Sequence, residues 1–284
     1  MIELRAGRLR CELHPELGGS IAGFWIGDQP VLRSTPAAQL ASARLAGCYP
    51  LVPYSNRIGH ASLLWQGTQH PLLRNDGDAP HSIHGIGWQR PWSVLDSDGT
   101  SAMLACEHRS DPSWPFAFDC SHTLRLSAQG LEMTLAVTNQ STQPAPMGVG
   151  WHPNFVKRPG ARIAFNASGR WEMGPDKLPA ARMPFTSLET GCDALAIDQC
   201  FDGWDGSVQL ADERMRVSVQ SELTRLVVFT DAARDVIAIQ PVSHVSNAVH
   251  LYASGAAVEE LGLAVLQPGE TLLAQMRILV EPAA

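Results

Sequence analysis

HTLRLSAQGLEMTLAVT, residues 122–138, is the stretch that decides the fold class. Large apolar residues fall on every second position from Leu131 to Val137, which is the pattern of a strand with one buried face. Residues 122–127 alternate in the same way, and residues 128–130 supply a turn that contains glycine. The segment is therefore predicted to form a β-hairpin.

Further strand patterns lie towards the C-terminal end of the chain. Residues 214–219 alternate, whereas residues 226–230 and 236–239 are short apolar runs, typical of strands that are covered on both faces. A last strand is predicted for residues 271–280, after the Pro-Gly turn at 267–270.

Helical signals are few, and 24 glycines and 20 prolines interrupt the chain at short intervals. One short helix is predicted for residues 34–45, which begin with an N-cap serine and a proline in the first turn. Many short strands with frequent turns favour an all-β sandwich or barrel. No composition break or repeat marks a boundary, so residues 1–284 are expected to form a single domain.

Composition excludes several classes of protein. Apolar residues make up 45% of the chain and charged residues 17%, which excludes a disordered chain. A net charge of −7 argues against nucleic-acid binding. No stretch approaches the roughly 18–20 apolar residues of a membrane-spanning helix, and the charged first residues do not resemble a signal peptide. We therefore expect a cytoplasmic protein that binds neither nucleic acid nor membranes.

The six cysteines are scattered and contain no CxxC pair. We interpret them as small buried apolar residues in a reducing compartment. They are Cys11, Cys48, Cys106, Cys120, Cys192 and Cys200.

Three segments differ from core strands. The first segment is YPLVPYSNRIG at 49–59. Its two prolines and its Asn-Arg pair disfavour a buried strand. The planar donor fork of Arg57 suits hydroxyls, a carboxylate or a phosphate. On the residue alone, a surface arginine paired with an acid is the alternative.

The second segment, PHSIHGIGWQRPW at 80–92, holds two histidines, two glycines and two tryptophans. Histidine transfers protons near neutral pH, glycine allows close backbone approach, and the flat face of Trp88 suits the C–H face of a sugar ring. A glycine-rich turn with ordinary histidines is the alternative. His81 and His84 also have HxxH spacing, which makes a metal site a further but less favoured interpretation.

The third segment, MGVGWHPNF at 147–155, presents His152 at a strand end beside a proline-fixed turn. A histidine in that setting is a moderate indication of a functional site.

Together these segments resemble the aldose 1-epimerase family of galactose mutarotase-like proteins. The resemblance extends from about Leu4 to Leu279, and its ordered motifs are fairly specific for the fold and superfamily, less so for the sugar. They are Pro-Tyr-x-Asn-Arg-Ile at 53–58, His-Gly at 84–85, Gly-x-Gly-Trp-His-Pro-x-Phe at 148–155, Asp-x-Cys-Phe at 198–201, Pro-Val-Ser-His at 241–244 and Leu-x-Pro-Gly-Glu at 266–270.

The resemblance implies a large twisted antiparallel β-sandwich with few short helices and one open cleft. It implies interconversion of the α and β anomers of a free aldose. A base takes the proton from the O1 hydroxyl, an acid protonates the ring oxygen O5, and the opened chain closes as the other anomer. The implied partner is a small sugar substrate, and neither an organic cofactor nor a metal is implied.

Matched position by position, His152 corresponds to the general acid of the family and His84 to the histidine that hydrogen-bonds near O5. The resemblance also suggests substrate-binding residues, namely Asn56, Arg57 and Asp198, and we add His81, Trp88, Trp151 and His244 from the same segments.

The general base of the family is a glutamate before Pro-Val-Thr/Ser-His, where this chain has Gln240. Glutamine can still hydrogen-bond a hydroxyl but cannot accept a proton at any accessible pH. Three explanations stay open: another base, sugar binding without catalysis, or slow catalysis assisted by His152 alone. The alternative bases considered are His244, Asp231 and Asp235.

We keep three hypotheses. The first is a mutarotase with a substituted base, the second a non-catalytic carbohydrate-binding protein that uses the same cleft, and the weakest a metal-dependent isomerase with His81, His84 and His152. Arg74 and Arg90 flank the second segment and, with Arg57, could bind an anionic sugar. Either a monomer or a homodimer is compatible with the sequence.

Overall fold

Two large antiparallel sheets account for most of the chain in the computed structural model, which describes residues 1–283. Strands β1–β14 are β1 (Ile2–Ala6), β2 (Leu9–His14), β3 (Ser20–Ile26), β4 (Gln29–Leu32), β5 (Pro50–Leu51), β6 (Arg57–Ile58), β7 (Ser62–Trp65), β8 (Thr68–Pro71), β9 (Ser82–Ile83), β10 (Ser93–Ser97), β11 (Ser101–His108), β12 (Phe118–Leu126), β13 (Gly130–Asn139) and β14 (Ala145–Met147).

The remaining strands are β15 (Gly150–Trp151), β16 (Asn154–Val156), β17 (Arg162–Asn166), β18 (Gly169–Met173), β19 (Pro179–Pro184), β20 (Ser187–Gly191), β21 (Ile197–Asp202), β22 (Ser207–Ala211), β23 (Met215–Ser221), β24 (Arg225–Thr230), β25 (Val236–Val242), β26 (Ala264–Leu266) and β27 (Thr271–Pro282). Two short α-helices, α1 (Ala248–Ala253) and α2 (Val258–Leu261), lie between β25 and β26.

The first sheet has twelve strands in the order β1-β2-β3-β4-β16-β25-β24-β21-β18-β19, with β15 and β5 joined beside β25. The second has nine strands in the order β10-β11-β12-β13-β27-β23-β22-β17-β20. Buried residues of both sheets form one continuous hydrophobic cluster. The prediction of a large all-β fold with few short helices is therefore confirmed.

The hairpin predicted for residues 122–138 is present as β12 and β13, which pair from Phe118 opposite Asn139 to Leu126 opposite Leu131. The strands predicted at 214–219, 226–230, 236–239 and 271–280 correspond to β23, β24, β25 and β27. Every residue of β25 is buried, as expected for a strand covered on both faces.

The helix predicted for residues 34–45 is wrong. This segment forms two 3₁₀ turns, Ala37–Gln39 and Ala43–Leu45, separated by Ser42 in an extended conformation. Thr35 Oγ1 donates to the carbonyl of Leu45 at 2.6 Å, and the Arg33 guanidinium donates to the carbonyl of Ala46. These bonds use carbonyls outside a helical ladder and fold the segment back on itself.

All six cysteines are buried and form no disulfide. Burial raises the pKa of several of these thiols, to about 11 for Cys192 and about 12 for Cys200. They therefore behave as small apolar residues of the core. Within residues 1–283 no helix has the length and hydrophobicity needed to cross a bilayer.

Candidate active site

One cavity has its floor on a face of the twelve-stranded sheet. Gln240 on β25 pairs with Val227, and Ala238 pairs with both Phe229 and Asn154 on the neighbouring strands. Asp198 on β21 pairs with Phe229 and extends the same row. Because side chains two residues apart share a face of a strand, Gln240 and Ala238 point to the same side. The cavity has a volume of about 310 Å³, at the lower end of small-molecule sites.

Two loops that brace each other form one wall. Strands β6 and β9 pair there, with Arg57 opposite Ile83. The amide of His84 donates to the carbonyl of Asn56 at 2.8 Å, and the amide of Asn56 donates to His84 Nδ1 at 3.0 Å. Since Nδ1 accepts, the neutral ring carries its proton on Nε2, to which no residue of 1–283 bonds. His84 can therefore donate from Nε2 to a ligand.

The backbone of this wall is strained. His84 and Asn56 both have positive φ angles, of 62° and 54°. Left-handed conformations are uncommon for residues other than glycine, and they persist only where surrounding bonds hold them. The reciprocal hydrogen bonds between the two loops supply that support, so the positions of His84 and Arg57 depend on each other.

His152 completes a cluster of three rings. Trp151 pairs with Pro50 where β15 meets β5, and the His152 amide donates to the carbonyl of Tyr49 at 3.0 Å. The His152 imidazole stacks on the Tyr49 ring, with centroids 4.7 Å apart. It meets the His84 ring edge-on at 5.2 Å. Both histidines therefore reach the cavity at one place, on a rigid aromatic support.

Burial keeps both imidazoles neutral. The pKa of His152 is lowered to about 3, mainly by burial, with the guanidinium groups of Arg33, Arg44 and Arg234 acting in the same direction. Burial also holds the pKa of His84 well below its ordinary value, with His152 and nearby arginines acting in the same direction. Protonation of either ring is therefore disfavoured.

Gln240 is buried on the floor, with 3% of its surface exposed. Its side-chain oxygen Oε1 is itself buried and has no hydrogen-bond partner among residues 1–283, and Gln240 is one of the residues that line the cavity. A buried acceptor without a partner costs free energy. A ligand hydroxyl that donates to Oε1 would remove that cost.

Six of the predicted site residues line one cavity: Asn56, Arg57, His84, His152, Asp198 and Gln240. Within it Arg57 Nη2 lies 3.8 Å from Asp198 Oδ2. This ion pair joins the loop wall to the sheet floor.

The other four predicted substrate-binding residues do not line this cavity. Both ring nitrogens of His81 bond to backbone, with Nδ1 accepting from His60 and Nε2 donating to Asp176. Trp151 is fully buried and its indole N–H donates to His122. The structure therefore does not bring these two side chains together with the six that line the cavity.

Trp88 lies behind the cavity wall. Its indole N–H donates to the carbonyl of Gly85 at 3.2 Å, and its ring supports Tyr49 and the guanidinium of Arg44. His244 is buried, accepts from the Ser55 amide at Nε2 and bonds the Val245 carbonyl through Nδ1. Their positions indicate structural roles instead of sugar contact.

The alternative bases are also outside the cavity. His244 uses both ring nitrogens in the bonds just described, while Asp231 pairs with Arg234 at 2.9 Å and Asp235 is exposed. The two carboxylates that do line the cavity, Asp76 and Asp198, are each paired with an arginine. No carboxylate within residues 1–283 takes the place that Gln240 occupies.

Several cavity residues were not identified from the sequence. They are Arg33, Arg44, Tyr49, Asp76, Asn154 and Arg234. The flanking arginines that the sequence suggested lie elsewhere: Arg74 is exposed and outside the cavity, and Arg90 pairs with Asp111. Asn154 and Tyr49 lie within the segments at 147–155 and 49–59, so Asp76 and the three arginines are the cavity residues without a sequence signal.

The described residues contain no group of three or more His, Cys, Asp or Glu side chains placed to hold a metal ion. The backbone bonds of His81 remove it from the ligand set that its HxxH spacing suggested. The chemistry available in the cavity is that of two imidazoles, three amides, a phenol, two carboxylates and four guanidinium groups.

Comparison with known proteins agrees with this architecture. The chain is 30% identical to the uncharacterized protein YphB of Escherichia coli K12, over 98% of each chain. A crystal structure of a candidate aldose 1-epimerase from the same organism superposes with a TM-score of 0.88, at 28% identity, covering 99% of this chain and 98% of that one. A galactose mutarotase-like protein from Clostridium acetobutylicum shares the fold, with a TM-score of 0.84 at 18% identity, covering 99% and 94%.

The family profile described as aldose 1-epimerase matches residues 1–279, nearly the whole chain. The match agrees with the ordered motifs and with the cavity that gathers six of their residues. The chain therefore belongs to the aldose 1-epimerase family.

Proposed function

We propose that this protein is an aldose 1-epimerase that interconverts the α and β anomers of a monosaccharide. One observation carries the proposal. The imidazoles of His84 and His152 meet edge-on, with ring centroids 5.2 Å apart, in a cavity that Gln240 also lines, and the amide oxygen of Gln240 has no partner among residues 1–283. Proton donors and a hydroxyl acceptor are thus gathered in a space suited to a small ligand.

In the proposed reaction, His152 in its protonated form gives a proton to the ring oxygen O5, and His84 Nε2–H hydrogen-bonds near the same atom. Gln240 Oε1 accepts from the O1 hydroxyl and orients it. Since an amide cannot take a proton, the O1 proton passes to water. The C1–O5 bond of the hemiacetal breaks and leaves an open chain with an aldehyde at C1 and a hydroxyl at C5. The C1–C2 bond rotates, and O5 then adds to the other face of C1, returning its proton to His152 while O1 takes up a proton from water, which gives the second anomer.

The rate should be modest for this family. A positioned general base contributes about 10²- to 10⁴-fold, and no carboxylate of the described chain occupies the position of Gln240. Proton donation from His152 and orientation of the hydroxyl still favour ring opening over the reaction in water. Slow assisted catalysis is therefore the route that fits the cavity.

The second candidate function is sugar binding without catalysis, and Gln240 favours it. In that case the cavity holds one anomer through Asn56, Arg57 and Asp198, and anomer exchange does not accelerate. Both candidates predict saturable sugar binding, so binding alone does not separate them.

Anomer exchange measured by magnetisation-transfer NMR separates the candidates. Wild type should accelerate exchange in a saturable way, His152→Ala should lose most of it, and Gln240→Glu should raise it about 10²- to 10⁴-fold by restoring a base. Gln140→Glu is the matched control, because it makes the same change at an exposed residue away from the cavity.

Equal, slow exchange by wild type and His152→Ala over a panel of neutral and anionic sugars would refute the mutarotase. Exchange that appears only in Gln240→Glu would assign the wild-type protein to sugar binding.

A further inference from the structure

The cavity carries more positive than negative charge. Four guanidinium groups line it, from Arg33, Arg44, Arg57 and Arg234, against two carboxylates. Arg44 pairs with Asp76 at 2.8 Å and Arg57 approaches Asp198 at 3.8 Å. Within the lining, two positive charges therefore have no acidic partner, although the whole chain has a net charge of −7.

Arg33 is the more informative of these two arginines. It is partly buried, and its guanidinium donates to the carbonyl of Ala46 at 2.9 and 3.2 Å and to that of Arg44. No carboxylate of residues 1–283 forms an ion pair with it. Burial lowers the pKa of this guanidinium, which shows that its charge is incompletely compensated. Buried cations are normally paired with anions, so this one indicates an anionic ligand.

Arg234 lies at the rim and is fixed from below. Its guanidinium stacks on the ring of Phe229 at 4.5 Å and pairs with Asp231, which lies outside the cavity lining. This support holds the donor fork over the opening at low entropic cost. Arg33, Arg44 and Arg234 together form what we name the arginine cluster.

The arginine cluster lies on the His152 side of the cavity. The Arg33 amide donates to the carbonyl of Asn154, two residues after His152, at 2.8 Å, and the Phe229 ring below Arg234 belongs to a strand that pairs beside Asn154 through Ala238. Arg44 lies over Trp88, which packs on the same Tyr49 ring that His152 stacks on. In a pyranose the ring oxygen O5 is bonded to C5, and C5 carries the exocyclic C6. A sugar whose O5 faces His152 therefore directs its C6 substituent towards groups around His152. The placement of O5 at His152, and with it the direction of C6, follows from the proposed function.

We propose that the substrate is an aldose with an anionic group at C6, a phosphate, sulfate or carboxylate, bound by the arginine cluster. The inference rests on the proposed function for the orientation of the sugar. Arginine forks match such oxyanions with paired hydrogen bonds. Glutamine at position 240 is consistent with this assignment, because a glutamate there would add a negative charge to a site that receives an anion.

An anionic group would also act on His152. The arginines that lower the pKa of this imidazole would be neutralised by the ligand, so its protonated form would become more accessible when the anionic sugar binds. Substrate binding would thus help to supply the proton that the reaction needs.

Isothermal titration calorimetry tests the inference directly. Glucose and galactose are compared with their 6-phosphates, a 6-sulfate, the corresponding uronic acids and inorganic phosphate. We expect at least one anionic sugar to bind ten- to a hundred-fold more tightly than its neutral parent, the contribution of one hydrogen bond to a charged group. The best-bound member identifies the oxyanion.

Arg234→Gln should lower the ratio of anionic-sugar to neutral-sugar affinity about tenfold. Arg74→Gln removes the same charge from an exposed residue outside the cavity and should change neither affinity. Arg33→Gln should act as Arg234→Gln does. Arg33 also donates to two backbone carbonyls, so its replacement could prevent folding. In that case Arg234→Gln alone tests the inference.

Equal binding of neutral and anionic sugars would overturn the inference while leaving the mutarotase intact. Inorganic phosphate bound as tightly as a sugar phosphate would also overturn it, since it would identify a site for the free anion. Tight anionic-sugar binding without anomer exchange would support the ligand class and refute the proposed activity.

Discussion

Gly85 holds the backbone that places His84, and no larger residue fits there. Its φ is +67°, and a Cβ would lie 2.2 Å from the carbonyl oxygen of Val52. Gly85→Ala should therefore lower the free energy of unfolding by about 2–4 kcal/mol, from left-handed strain and overlap with backbone. It should also displace His84 and abolish anomer exchange. Urea unfolding and exchange NMR measure the two effects.

Gly77→Ala is the matched control, because Gly77 has a φ of +54° but open space where a Cβ would stand. It should cost only about 1 kcal/mol and leave exchange unchanged. If both variants lose the same stability and keep activity, contact with Val52 does not position His84.

At the residue scale, sequence reasoning worked where a residue sits inside a recognisable string. His84, His152 and Gln240 belong to such strings, and the cavity contains all three. Arg33 and Arg234 lie in turns without a pattern, and arginine is usually exposed. Only the pairing of distant strands brings them to the same cavity, so no local signal could reveal them.

At the scale of elements, His244 ties the turn after β25 to the loop that carries Asn56 and Arg57. Its Nε2 accepts from the Ser55 amide at 3.1 Å and its Nδ1 bonds the Val245 carbonyl at 2.7 Å. His244→Leu should cost about 1–3 kcal/mol for each buried polar group left unpaired. It should raise the KM for the sugar, because the loop loses a brace.

His244→Gln distinguishes this bracing role from the role of a base. A glutamine can accept from Ser55 and donate to Val245, so exchange kinetics should stay near those of wild type while His244→Leu weakens binding. If His244→Gln abolishes exchange as completely as His244→Leu, then His244 takes part in the chemistry.

Prediction of elements succeeded for alternating strands and failed for the short helical pieces. The hairpin β12–β13 follows from side-chain alternation alone, which one buried sheet face enforces. Residues 34–45 have helix-forming composition, but Arg33 and Thr35 donate to the carbonyls of Arg44 and Leu45 and so draw them into other bonds. Helix propensity is a weak preference that such tertiary contacts override.

At the scale of the molecule, long-range strand order creates the site. β16 lies between β4 and β25 in the first sheet, which places Arg33, Asn154 and Ala238 side by side although they are far apart in sequence. The motifs predicted that a cleft exists and which strings contribute to it. The charge of the cleft depends on strand neighbours that no motif specifies.

Buried neutral histidines should make the whole fold sensitive to acid. Burial lowers the pKa to about 3 for His122 and His152 and to about 4 for His244, against roughly 6.5 in an unfolded chain. As pH falls from 6.5 towards 4, the unfolded chain takes up three protons that the folded protein does not. The free energy of unfolding therefore has its full value above pH 6.5 and decreases as the pH falls below 6.5.

Each of these histidines costs about 1.4 kcal/mol per pH unit in that window, so the three together should remove about 6 kcal/mol by pH 5. That is comparable to the entire stability of a typical domain. Urea midpoints should be constant from pH 7 to 8 and decline steeply between pH 6 and 5. His122→Gln keeps an acceptor for the Trp151 indole and should make the decline shallower by about 1.4 kcal/mol per pH unit. A decline as steep as that of wild type would mean that His122 is not held neutral by the fold.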